Sequence, residues 1–105
     1  MHKQEPDPGR FSDPSLLILS SLADGPKHGY AMMEDIFTFS GTKLEPGTLY
    51  AALARLERRG WIEPLQAEER RRPYRITGAG EVALRQQIQT LHRVVSTGQQ
   101  RLAPG

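Results

Sequence analysis

Glu45-Pro-Gly-Thr-Leu-Tyr-Ala-Ala-Leu-Ala-Arg-Leu-Glu-Arg-Arg-Gly60 carries its own start and stop signals. Pro46 suits the first helical position, where a missing N–H costs nothing, and Gly60 suits a left-handed residue after the last turn. Leu49, Leu53 and Leu56 recur at i, i+4 and i+7, and Ala52 fills the same stripe, so one face is expected to be buried. The opposite face carries Thr48, Tyr50, Ala51, Arg55, Arg58 and Arg59, small or polar side chains first and guanidinium groups after them. A helix that sends its N-terminal end into a DNA major groove and sets its flanks against phosphates needs that distribution. Taken alone, the stretch fits equally well a basic amphipathic helix on any small domain.

The neighbouring segments decide between these readings. Residues 1–12 are rich in proline, glycine and charge, with only Phe11 to bury, and predict a flexible N-terminal arm. Lys3 and Arg10 are offset there by Glu5 and Asp7, which favours a solvated tail over an arm that reaches DNA. Ser12 or Asp13 is the expected cap of a first helix, with Pro14 at its first position. Leu16, Leu17, Ile18, Leu19 and Leu22 make that helix apolar nearly all round, so it belongs at the centre of a small domain or partly in a subunit contact. Asp24-Gly25-Pro26 stops it. Lys27-His28-Gly29-Tyr30 opens a second helix running to about Phe39, and Ser40 to Lys43 leads directly to Pro46. Three helices joined by tight turns of this kind make a helix-turn-helix.

After Gly60 the period changes. Trp61 to Leu65 and Pro73 to Ile76 are short, aromatic and β-branched, and they bracket a polar tip from Gln66 to Arg72. They predict a two-stranded hairpin, with Pro64 and Pro73 in edge positions and Arg70, Arg71 and Arg72 at the tip. Thr77 then caps a last helix. Leu84, Ile88, Leu91 and Val95 step along it by 4, 3 and 4, the spacing of a coiled-coil seam. Leu102 would extend that seam, although Gly98 interrupts it and the last residues are expected to fray. The seam outruns what so small a domain can cover, so a dimer helix is preferred to internal packing.

The 105 residues bound the molecule to about one domain with a modest core. The formal charge of +2 hides local clustering: Arg55 to Arg75 holds seven arginines against four glutamates. Clustering matters more than the total, because salt screens charge beyond about 8–10 Å. Cysteine is absent, which excludes disulfides and thiolate metal sites and suits a reducing cytoplasm. No apolar run approaches the ~18 residues of a membrane span, and no signal-peptide core is seen. His2, His28 and His92 lack metal spacing, Ser20 and Ser21 lack a nucleophile turn, and Ser40 to Lys43 lacks the phosphate-loop glycine pattern. Neither an enzyme nor a cofactor is expected.

The fold class that follows is mainly α with a small two-stranded β wing. Its expected divisions are an arm over 1–12, a winged helix-turn-helix over 13–76, a dimerisation helix over 77–102 and a disordered tail over 103–105. Leu17-Ile-Leu-Ser-Ser-Leu22, His28-Gly-Tyr30, Gly47-Thr-Leu-Tyr50, Leu53-Ala-Arg-Leu-Glu57, Gly60-Trp-Ile62 and Tyr74-Arg-Ile-Thr-Gly-Ala-Gly80 appear in an order that resembles the PadR family of bacterial transcriptional regulators, short subgroup. One departure is Ala51, where many members carry proline. The resemblance implies a dimeric repressor whose third helix enters the major groove while the wing touches flanking backbone. It implies that Gly47, Thr48 and Tyr50 approach DNA, with Tyr30 on a phosphate and the wing arginines supplying the rest. Some relatives hold flat aromatic compounds at the dimer centre against an aromatic on the last helix. Here that helix offers only His92 and aliphatic side chains.

The reading reached is a sequence-specific regulator, a repressor, that binds a pseudo-palindromic operator in double-stranded DNA as a homodimer. Its DNA-facing residues are Tyr30, Lys43, Gly47, Thr48, Tyr50, Arg55, Arg70, Arg71 and Arg72. Its dimer residues are Leu16, Leu84, Ile88, Leu91 and Val95. Room is left for a small-molecule effector that releases it. Two alternatives stay open: a winged-helix protein-interaction module that never reads DNA, and a ligand-sensing switch acting through the dimer cleft.

Overall fold

Asp13 sets the chain's first helix by giving its carboxylate to two otherwise unpaired amides. In the computed structural model, which describes residues 13–104, its Oδ1 accepts from the N–H groups of Ser15 at 3.0 Å and Leu16 at 3.3 Å. The expectations placed on residues 1–12 and on Gly105 lie outside the described residues. Helix α1 (Pro14–Leu22) buries Leu16, Leu17, Ile18, Leu19 and Leu22, so an all-apolar helix has become the centre of the domain, touching each of the other three helices. Each such side chain contributes on the order of 1.5–3 kcal/mol by leaving water.

Strand β1 (Lys27–His28) and helix α2 (Gly29–Ser40) follow. The second helix thus begins later than the sequence suggests, with His28 as its cap. Gly41, at φ +74°, closes α2 in the left-handed region and donates to the Phe37 carbonyl at 2.9 Å. Helix α3 (Pro46–Arg58) buries Leu49, Ala52, Leu53 and Leu56, the stripe read from the sequence. Its end is a Schellman turn. Gly60, at φ +76°, donates to Glu57 and Trp61 donates back to Leu56, each at 3.0 Å.

Strands β2 (Ile62–Pro64) and β3 (Pro73–Ile76) pair antiparallel, with Ile62 opposite Ile76, Glu63 opposite Arg75 and Pro64 opposite Tyr74. Here the expectation of a two-stranded wing needs correction. Strand β1 joins on the far side of β3, Lys27 opposite Tyr74 and His28 opposite Pro73, giving a three-stranded sheet in the order β1-β3-β2. Pro73 therefore sits in the central strand and not at an edge. It is tolerated because it is the first residue of that strand. A two-residue strand shows no alternation, so nothing local marked Lys27 and His28.

Helix α4 (Gly78–Leu102) starts from Thr77, whose hydroxyl accepts from the Gly80 amide at 3.1 Å and donates to the Gly60 carbonyl at 2.6 Å. Gly80 is buried so tightly that a Cβ on it would stand 2.0 Å from the Trp61 carbonyl oxygen. The helix passes Gly98 unbroken, contrary to the expected interruption. One glycine costs only about 1 kcal/mol in a helix, too little to end this one.

Candidate nucleic-acid interface

The exposed side of α3 begins with Gly47, Thr48, Tyr50 and Ala51 and ends with Arg55 and Arg58 in its last turn. Cations there also suit the negative end of the helix dipole. Arg59 is turned to the wing, its guanidinium 5.0 Å from the centre of the Trp61 ring.

Tyr50 does not simply project outward. It is half-exposed, and its ring crosses the start of α2 over Gly29, a residue with no side chain to block it. The phenol is thereby held beside Tyr30, His28 and Tyr74, and opposite the wing arginines. These groups, with Arg70, Arg71 and Arg72, line one hollow of about 260 Å³. Burial, and after it the Glu57 carboxylate, raises the Tyr74 phenol above its ordinary value, so it stands there as a neutral donor.

The wing brings its arginines to that hollow by a tight turn. Glu68 and Arg71 exchange backbone hydrogen bonds at 2.7 Å, and the two residues between them, Glu69 and Arg70, have φ of +47° and +70°. This is a type I′ geometry built without glycine or asparagine. Arg70 stands at the tip, while Nη1 of Arg71 lies 3.3 Å from Nε2 of His28. Arg72 is partly committed to the wing itself, donating from Nη1 to the Leu65 carbonyl at 2.9 Å. Arg75 pairs with Glu63 across the strands at 3.2 Å.

The residues expected to face DNA thus divide by place. Tyr30, Tyr50, Arg70, Arg71 and Arg72 come together at the hollow. Gly47, Thr48 and Arg55 lie exposed on α3, and Lys43 borders a separate groove with Tyr30, Met33, Phe37 and Leu44. Sequence reasoning missed His28, Gly29 and Tyr74 as parts of the site. The only available signal was a histidine–glycine pair at a helix start, where the glycine makes room for a neighbour.

The residues expected at a dimer contact also divide. Leu16 and Leu84 are buried in the core of their own protomer, and Leu91 is half-buried against it. Ile88 and Val95, on the same face farther along α4, are 51% and 52% exposed. Among the described residues, no group of three or more His, Asp or Glu could hold a metal, and no helix is long and apolar enough to cross a membrane.

Three helices followed by a β hairpin, with arginines at the hairpin tip beside the exposed end of the third helix, define a winged helix-turn-helix protein. The family follows from comparison: residues 18–86 match the Transcriptional regulator PadR-like family, and the chain belongs to it. It is similar to a transcriptional regulator of Mycobacterium tuberculosis, 38% identical over 97 residues that cover 84% of this chain and 87% of the relative. It is 44% identical over 85 residues to an uncharacterised 37.1 kDa protein of a Streptomyces fradiae transposon, but that match covers 81% of this chain and only 25% of the longer protein. Among solved structures, a PadR family transcription regulator from Clostridium difficile superposes with a TM-score of 0.77 at 26% identity, over 86% of this chain and 98% of that one.

Proposed function

We propose that the chain is a sequence-specific repressor that binds a pseudo-palindromic operator as a homodimer in the cytoplasm. The observation that carries DNA recognition is the convergence of three elements: the start of α2, the exposed N-terminal half of α3 and the arginine tip of the wing. In this reading Gly47 and Thr48 approach base edges. Tyr30, Tyr50 and the wing arginines hold the flanking backbone, and Arg55 steers from the far end of α3. Lys43 adds a further phosphate contact from the turn before α3.

The dimer rests on the apolar face of α4. That face serves the protomer's own core at Leu84 and, in part, Leu91, and it is exposed at Ile88, Val95 and Leu102, along a helix about 37 Å long. Two copies paired there would present two recognition helices to half-sites roughly 34 Å apart.

Release by a small molecule is a second element of the proposal. A groove of about 340 Å³ between α1 and α4 is lined by Leu16, Trp61, Ala83, Gln87 and Leu91, and the buried Oε1 of Gln87 has no hydrogen-bond partner among the described residues.

An electrophoretic shift on the DNA upstream of the chain's own gene, with and without excess random competitor, tests the main reading. Retained binding under competitor is expected. Binding that the competitor removes entirely would leave a non-specific binder, and no binding would favour the protein-interaction alternative.

A further inference from the structure

His28 stands between two N–H groups that one neutral imidazole cannot serve together. Its Nδ1 accepts from the Ala31 amide at 3.4 Å and so caps α2. Its Nε2 lies 3.3 Å from Nη1 of Arg71, and a guanidinium can only donate. With its proton on Nε2 the ring caps the helix and turns an N–H toward Arg71. With its proton on Nδ1 the ring accepts from Arg71 and gives up the cap. An imidazolium can accept from neither.

The surroundings determine what a second proton would meet. From the wing, Arg71 faces the ring, and Glu68 and Glu69 line the same recess beside Pro73. On the other side lie Tyr30, Tyr50, Tyr74, Arg70 and Arg72. Lys27, the neighbour on β1, pairs with Asp24 and lies 4.0 Å from Asp35. In the free protein the ring thus faces a guanidinium on one side and two carboxylates on the other. A phosphodiester in the hollow adds acceptor oxygens to this arrangement. It draws Arg71 onto its own oxygens and gives both imidazolium and guanidinium an acceptor.

We propose that the hollow between His28, Tyr50 and the wing arginines seats one phosphate of the DNA backbone, and that filling it draws a proton onto His28. This rests on the DNA-binding reading above and adds a linked proton to it. The bound form then carries more protons than the free form, so affinity rises as pH falls through the histidine range near 6.5. The limit is one proton per protomer, or about tenfold in affinity per pH unit.

The test uses the intact chain and a short duplex of mixed sequence at low salt, because a backbone contact does not require the operator. Anisotropy titrations between about pH 5.5 and 7.5 compare wild type with His28→Asn, which caps helices well and does not titrate. Wild type is expected to bind several-fold tighter per pH unit toward acid, while His28→Asn is expected to show a flatter profile. In parallel, calorimetry of wild type in buffers of differing ionisation enthalpy should register proton uptake on binding, and His92→Asn should keep it. Equal pH slopes in wild type and His28→Asn would overturn the proposal, as would calorimetry without uptake below neutrality. The calorimetry decides the matter should His28→Asn fail to fold. An absence of DNA binding at every pH would overturn this inference together with the reading it rests on.

Discussion

The Tyr50 ring lies across Gly29 so closely that a Cβ on the glycine would stand 2.5 Å from the phenolic oxygen and 3.2 Å from Cδ2 of Leu49. Helices α2 and α3 therefore meet through a missing side chain, and the position of Tyr50 is set by a residue on the other helix. Gly29→Ala should push the phenol aside, at a cost of about 1 kcal/mol in stability, while weakening DNA binding by about tenfold, the worth of one or two displaced hydrogen bonds. Thermal melts alongside DNA titrations check this. A variant that binds as wild type would show that Tyr50 contributes nothing from its place over Gly29.

The wing tip holds two ordinary residues in the left-handed region, each costing about 1 kcal/mol. Glu69→Asn should stabilise the fold by up to about 1 kcal/mol and, by removing an acid, tighten binding to any DNA. Arg70→Gly should also stabilise, yet it should weaken binding and reduce the slope of log K against log salt by about 0.9. Salt-dependent titrations distinguish the two. An unchanged slope in Arg70→Gly would take the tip out of the interface.

Ile88→Glu and Val95→Glu replace side chains that the protomer leaves uncovered, so neither should disturb its own core. Each is expected to keep the helical circular dichroism and to sediment as a monomer, since an unpaired carboxylate cannot be buried cheaply in an apolar seam. A variant still dimeric would place the subunit contact elsewhere.

Glycines at the two ends of α4 should behave in opposite ways. At Gly80 an added methyl meets a backbone carbonyl that cannot step aside, so Gly80→Ala should cost about 2–3 kcal/mol. At Gly98 an added Cβ would meet no other part of the described residues within 4 Å, and Gly98→Ala should stabilise by up to about 1 kcal/mol. Chemical denaturation of the two variants measures both signs.

Tyr74 supplies a pH dependence. Its folded value is raised above the ordinary 10, first by burial and then by Glu57. A raised value means the fold favours the neutral phenol, so this stabilisation is complete below about pH 10 and is lost as pH rises through the folded value. Tyr74→Phe should be less sensitive to alkali between about pH 9 and 11, as followed by denaturation midpoints. Parallel curves for the two proteins would show that Tyr74 ionises as freely in the fold as in the unfolded chain.

The helices were legible because their ends are chemically marked. Asp13 and Pro14, Pro46 and Gly60, and Thr77 all fall where the caps lie. Strand β1 was not legible, because two residues carry no period and its partner lies far along the chain, at Tyr74 beside Lys27. The α4 spacing showed an apolar face but not whose core it serves. Leu84 and Ile88 are one turn apart on that face, yet the first joins the buried core and the second is half-exposed. Likewise the arginines of the wing announced a basic tip, whereas the seating of Tyr50 over Gly29 and the approach of Arg71 to His28 depend on contacts between elements distant in the chain.

The junction of Thr77 and Gly80 with Gly60 and Trp61 has a mechanical meaning. It fastens the root of α4 to the very turn that ends α3, with no slack residue between them. In a dimer built on α4, each recognition helix is therefore the short arm of a rigid lever whose long arm lies at the partner. A few degrees of roll between the two α4 helices would be delivered at the DNA as a change in the separation and tilt of the reading heads. In such a dimer, whatever widened or tightened the far end of α4 would alter the grip on DNA from a distance.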